Sequence, residues 1–136
     1  MTSINLTRRS PGHYTLTNAR GGSIDVGDSS NAEFAPVELL LAAVAACSSI
    51  DVDTVTSRRA EPTRFAVSAS GDKHVDEAGG AILTDVTVRF DIAFGDDPAG
   101  AEAAAMIERL VALSHDKYCT VSRTLEAPTP VEFIVG

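Results

Sequence analysis

The amino-acid sequence predicts an α+β fold with elements in the order βββ-α-ββ-α-α-β, and three observations carry that reading. Short segments of alternating apolar and polar residues fill the first 27 positions. A long Ala- and Leu-rich run begins at Pro36, and two longer alternating segments follow between Thr63 and Phe94. Residues 3–9 (SINLTRR), 13–19 (HYTLTNA) and 23–27 (SIDVG) read as a three-strand meander, punctuated by Ser10-Pro11-Gly12 and Gly21-Gly22. Asp28–Phe34 is a polar connection.

At Pro36 the period changes. Proline suits the first helical position, and from Leu39 to Cys47 every side chain is apolar. The helix is expected to continue through SSIDVDTVTSRR to about Arg59, where Glu61-Pro62 stops it, a length of roughly 34 Å. A stretch that is apolar all round is expected to be buried all round, either sandwiched between sheets or sheathed by a second subunit. Thr63–Gly71 and Ala81–Phe94 are the next strands, and Ile82, Thr84, Val86, Val88, Phe90 and Ile92 share one face of the second. Asp96-Asp97-Pro98 opens a second helix running to about Ser114, with Ala103, Met106, Ile107, Leu110 and Leu113 at helical spacing. A short third helix is expected near Cys119. Pro128 and Pro130 then precede a last strand, VEFIV.

With 136 residues the chain is expected to form one domain over positions 1–136. Hydrophobic content of 44% and charged content of 22% place it among soluble globular proteins. A net charge of −8 argues against nucleic acid and anionic membrane surfaces, and the basic clusters Arg8–Arg9 and Arg58–Arg59 are pairs rather than patches. The N-terminus MTSINLTRRS lacks an apolar targeting segment, and the longest uncharged apolar run falls short of the ~20 residues of a membrane helix. A cytoplasmic location is therefore expected, where two cysteines are thiols rather than a permanent staple.

Those cysteines, Cys47 and Cys119, stand 72 residues apart. There is no CxxC pair or metal-ligand spacing, so no metal is expected, and both the G-x-S-x-G elbow and a phosphate loop are missing. His115 and Cys119, at i and i+4, could share a helical face, but two ligands do not make a metal site. Thiol chemistry remains, set against the plain alternative that a buried cysteine is a small hydrophobe. Apolar burial and Asp51, one turn on, would both raise the pKa of Cys47. Its thiolate then calls for a cation from elsewhere, with Arg8, Arg9 and Arg20 as candidates. Cys119, near Lys117 and at a helix start, is the easier thiol to ionise.

The segments PVELLLAAVAACSSIDV and HDKYCTVSRTL strongly resemble the two signature segments of the OsmC/Ohr family, the osmotically induced and organic hydroperoxide resistance proteins. In that family a proline and an acidic residue open a long helix bearing the first cysteine, and a second cysteine follows a basic-Tyr pair. The resemblance covers essentially the whole chain. It implies an OsmC-like fold of antiparallel sheets wrapping a long central helix, assembled as an intertwined homodimer. It further implies a thiol peroxidase serving oxidative stress defence. Cys47 would attack an organic hydroperoxide, Cys119 would resolve the resulting sulfenic acid as a disulfide, and an external dithiol of lipoyl type would reset the pair with no bound cofactor.

In the peroxidase branches an acidic residue stands ten positions before the first cysteine. Here Val37 holds that place and Glu38 follows, rotated by about 100° on the helix. Glu38 and a hairpin arginine, Arg9 or its neighbour Arg8, are the supporting residues the resemblance points to. Thr120 stands where proline is usual after the second cysteine. The alternative function is a non-catalytic dimer that binds a small hydrophobic molecule in a pocket at its interface.

Overall fold

Alternation and tight turns pair the first three segments into one antiparallel sheet. The computed structural model describes all residues from Met1 to Gly136, and the chain divides into two compact units, Met1–Leu40 and Leu41–Gly136. In the first unit, β1 (Ile4–Ser10), β2 (His13–Asn18) and β3 (Ser23–Gly27) lie in sheet order β1-β2-β3. Leu6 faces Leu16, which faces Ile24 in turn, so one side of this sheet is apolar. Ile4, Leu6 and Ile24 on that side are nonetheless exposed. The β1–β2 turn needs Gly12, whose φ of 75° is left-handed and whose missing side chain leaves room for the Asp28 carboxylate.

Helix α1 spans Pro36–Thr56. Pro36 takes the first helical position, and Glu38 Oε1 accepts a hydrogen bond from the Ala35 amide at 2.8 Å, one half of a capping box. The last hydrogen bonds tighten beyond Thr56, where Arg59 N donates to Thr56 O, so the helical path ends where Glu61-Pro62 was expected to stop it. Within this single chain the helix is not buried on every side. Val44, Ser48, Val52 and Thr56, four residues apart, form the one buried stripe. Leu39–Ala43 are half-buried, Ala46 is exposed and Ile50 is 63% exposed, because one chain leaves the other faces uncovered. α1 has the length and hydropathy of a membrane span. Its Asp51 carboxylate accepts a hydrogen bond from Ser114, just beyond α2.

In the second unit β4 (Arg64–Val75) and β5 (Ala81–Ala93) form a long antiparallel ribbon. Phe65 pairs with Ile92, Val67 with Phe90 and Ala69 with Val88, a run of cross-strand apolar pairs on the half-buried face. The single face expected for β5 stops there. The register shifts between Ser70 and Asp72, Asp85 adopts a φ of 54°, and beyond this irregularity Leu83 packs over Gly71 while Ile82 and Val86 are exposed.

α2 (Pro98–Leu113) starts as expected. Pro98 follows Asp97, whose Oδ1 accepts the Gly100 amide at 2.7 Å. It runs into a π-helical turn, Ser114–Tyr118, and then into α3 (Thr120–Glu126). The Arg59–Glu102 ion pair at 2.9 Å ties the end of α1 to α2. The expected last strand does not form. Residues 131–135 join neither sheet, and Phe133 is 91% exposed, so strand-like composition alone does not make a strand here. The architecture is α+β, with two antiparallel sheets and three α-helices.

Candidate functional site: a thiol pair at the first turn of α3

Three elements bring the two sulfurs together. Cys47 lies midway along α1, half-buried, and both cysteines are free thiols. Cys119 is fully buried and is the N-cap residue of α3, with extended backbone (φ −78°, ψ 100°). Its Sγ accepts the Ser122 amide at 3.4 Å and lies 3.7 Å from Ser48 Oγ. The Val121 amide favours the Cys47 thiolate in turn. Successive amides of one helical turn therefore act on the two sulfurs, and Cys47 and Cys119 lie close enough to shift each other's acidity.

Their acidities diverge. Burial pushes the Cys47 thiol up, the Val121 amide only partly offsets this, and the Cys119 sulfur and the Asp51 charge raise it further. Burial also acts to raise Cys119, but the hydroxyl and amide of Ser122, the Cys47 thiol and the Ser48 hydroxyl outweigh it and leave the pKa lowered. Cys119 is thus the easier thiol of the pair to ionise and Cys47 the harder. This follows the ranking expected from the two sequence positions.

Within the unit that holds both sulfurs, the donors named at Cys119 are neutral amides and hydroxyls. Arg9 forms an ion pair with Asp25 at 3.3 Å and donates to Thr15 on the polar side of the first sheet. Glu38 is occupied by the Ala35 amide. His115 does not turn toward Cys119; it bridges Asp116 and Glu126 at 2.9 and 2.8 Å. Away from the sulfurs, Asp72, His74 and Asp85 bring donor atoms within 4.8 Å of one another on the exposed β4–β5 ribbon, as exposed acidic groups commonly do.

Sequence reasoning missed the serines. Ser48 Oγ bonds to Val44 O at 3.0 Å as well as approaching Cys119. Ser122 stands three residues after the capping sulfur, where an N-cap acceptor finds its amide donor. The spacing Cys119-x-x-Ser122 was the available signal. A cavity of about 320 Å³, lined by Asp51, Thr54, Val55, Leu110, Leu113 and Tyr118, continues the α1 face that carries Cys47.

An α+β fold that brings two free thiols close together on neighbouring elements defines a dithiol protein. Residues 27–134 match the family model described as OsmC-like protein, and the chain belongs to that family. The fold resembles a hypothetical protein from Aquifex aeolicus VF5 (TM-score 0.73, 22% identity, covering 95% of this chain and 89% of that one). It also resembles an OsmC-like protein of unknown function from Vibrio cholerae O1 biovar eltor (TM-score 0.71, 17% identity, 93% and 94% covered). A third similar structure is the organic hydroperoxide resistance protein OhrB of Bacillus subtilis (TM-score 0.59, 20% identity, 93% and 92% covered). No curated protein matches the chain by sequence.

Proposed function

We propose that the chain is a thiol peroxidase that reduces organic hydroperoxides through Cys47 and Cys119, working as a homodimer. The observation that carries this reading is the pair of neighbouring sulfurs at one helical turn, each shifting the other's acidity, one half-buried and one buried and more acidic. Cys47 is the sulfur a substrate reaches. Its proton passes to Cys119, and the Cys47 thiolate attacks the distal oxygen of the hydroperoxide. The O–O bond breaks, the alkoxide leaves with the Cys119 proton as an alcohol, and Cys47 becomes a sulfenic acid. The Cys119 thiolate then attacks the Cys47 sulfur, displacing hydroxide that takes a proton from solvent as water. One hydroperoxide is thereby reduced and two thiols are oxidised. A small external dithiol, of lipoyl type, reverses the bridge by exchange. The cycle suits a reducing compartment such as the cytoplasm.

A homodimer is supported by surface. Ile4, Leu6, Ile24, Ile50, Phe133 and Ile134 are all exposed apolar residues of the kind an obligate interface covers.

The test is intact mass after one equivalent of cumene hydroperoxide. Wild type should lose two hydrogens, Cys119→Ser should gain one oxygen, and Cys47→Ser should consume nothing. Unchanged mass in wild type rules the peroxidase out. The second reading, a binding module without turnover, rests on the cavity beside Asp51 and Tyr118. It is favoured if an apolar ligand travels with the inactive protein through purification.

A further inference from the structure

We infer that Asp51 is a positioning residue for disulfide closure: by holding Ser114 it sets the π-helical turn that presents Cys119 to Cys47. The inference rests on the reading of the two cysteines as a redox pair. Ser114 is buried, and each of its polar groups is engaged. Its hydroxyl donates to Asp51 Oδ2 at 2.7 Å. Its amide donates to the carbonyls of Leu110 and Val111, closing α2. Its carbonyl accepts the Cys119 amide at 2.8 Å, five residues on. That last bond makes the turn π-helical, one residue wider than an α turn. The additional residue matters because one residue on a helix is a rotation of about 100°. An α-helical path from Ser114 would aim the side chain at position 119 elsewhere.

The four residues between the anchors, His115 to Tyr118, are exposed; α3 braces them through His115–Glu126 and Arg123–Lys117 O, and α1 holds the ends. Helix α1 supplies a hold at each end within one turn of itself. Asp51 grips Ser114 where the π turn begins, and Ser48 approaches the Cys119 sulfur where it finishes. Cys47 is the residue beside Ser48. A disulfide requires the two sulfurs to reach about 2.05 Å with a narrow torsion. Asp51 touches neither sulfur; it acts through the backbone that carries one of them.

Asp51 also bears a charge, and two substitutions separate charge from hold. Asp51→Asn keeps an oxygen acceptor for Ser114 and removes the charge, whereas Asp51→Leu removes both. The dithiol–disulfide equilibrium of each variant is measured against a glutathione redox buffer by intact mass, with no hydroperoxide present. Closure is then timed after one equivalent of cumene hydroperoxide, relative to the rate of first oxidation. Asp51→Leu should weaken closure about tenfold, a shift of roughly 30 mV toward easier reduction. Asp51→Asn should stay within about threefold of wild type, as should the control Asp53→Asn two residues away on an exposed position. Wild-type closure in Asp51→Leu overturns the inference, and so does an equal loss in Asn and Leu, which would assign the effect to charge. If Asp51→Leu does not fold, Ser114→Ala decides, since it deletes the donor from the other side and should show the same loss. A wild-type protein that ignores hydroperoxide but keeps this order of redox equilibria sinks the peroxidase reading alone and leaves the role of Asp51 standing.

Discussion

Ile50 offers the sharpest test of the proposed dimer. It sits in the middle of the most apolar helix, flanked by the buried Ser48 and Val52, and yet is 63% exposed. In an isolated chain, Ile50→Ala is a surface substitution and should change stability by no more than about 0.5 kcal/mol. In a two-fold dimer that covers this face the arithmetic differs. Burying an isoleucine fully contributes about 1.5–3 kcal/mol, so covering the 63% left open contributes about 1–2 kcal/mol per copy. A two-fold interface uses the residue twice, giving about 2–4 kcal/mol per dimer. At 1.4 kcal/mol per decade, truncation should raise the dimer dissociation constant by roughly thirtyfold to several hundredfold. Sedimentation velocity over a dilution series from millimolar to nanomolar reads this directly, and the melting temperature of the variant should become more concentration-dependent. A wild-type chain that stays monomeric throughout, or a dimer whose affinity ignores Ile50→Ala, refutes the reasoning.

Two further outcomes follow from the titrating groups. Cys47→Ala removes a donor from the Cys119 sulfur, so the Cys119 thiolate should form at higher pH than in wild type, read by its ultraviolet absorbance; an unchanged or lower titration point contradicts the shared-proton picture. His115 has a raised pKa because Asp116 and then Glu126 hydrogen-bond to its ring. A folded pKa above the unfolded value of about 6.5 means its clamp is complete below that pH and is lost as pH rises through the raised value. Amide exchange in α3 should therefore accelerate over that window in wild type and show no such step in His115→Asn, with Glu126→Gln weakening the step.

Periodicity made the long elements legible and tertiary partners decided the rest. The meander, α1, the β4–β5 ribbon and α2 all announce themselves through local spacing, with Pro36, Asp97 and Pro98 marking starts that the structure confirms by hydrogen bonds. The π turn could not be read this way. Its sequence SHDKY has no signature of its own, and its geometry depends on Ser114 finding Asp51, 63 residues earlier. The parity change in β5 turns on one backbone conformation at Asp85, which alternation cannot register. VEFIV has the composition of a strand, but a strand is a property of two segments, and this chain pairs it with nothing. At the site, both cysteines could be singled out from the sequence and prove to be neighbours, whereas the hydroxyls and amides that set their acidities belong to residues ordinary in any helix.

Neutral donors gathered on Cys119 give this thiol pair its character. A guanidinium beside Cys47 would favour its thiolate directly. Amides and hydroxyls on Cys119 instead make the buried sulfur the easier one to ionise and leave the accessible one harder. In the proposed cycle the Cys47 thiolate forms as its proton crosses to Cys119, so the two thiols would be linked by one proton before they are linked by a bond. In that cycle Cys119 is protonated at the moment the alkoxide needs a proton, and deprotonated again when the sulfenic acid needs a nucleophile. Both halves of the proposed cycle therefore depend on the distance between the same two atoms, which is why the backbone turn carrying Cys119, and the Asp51–Ser114 bond that holds it, are the part of the site on which activity should depend most steeply.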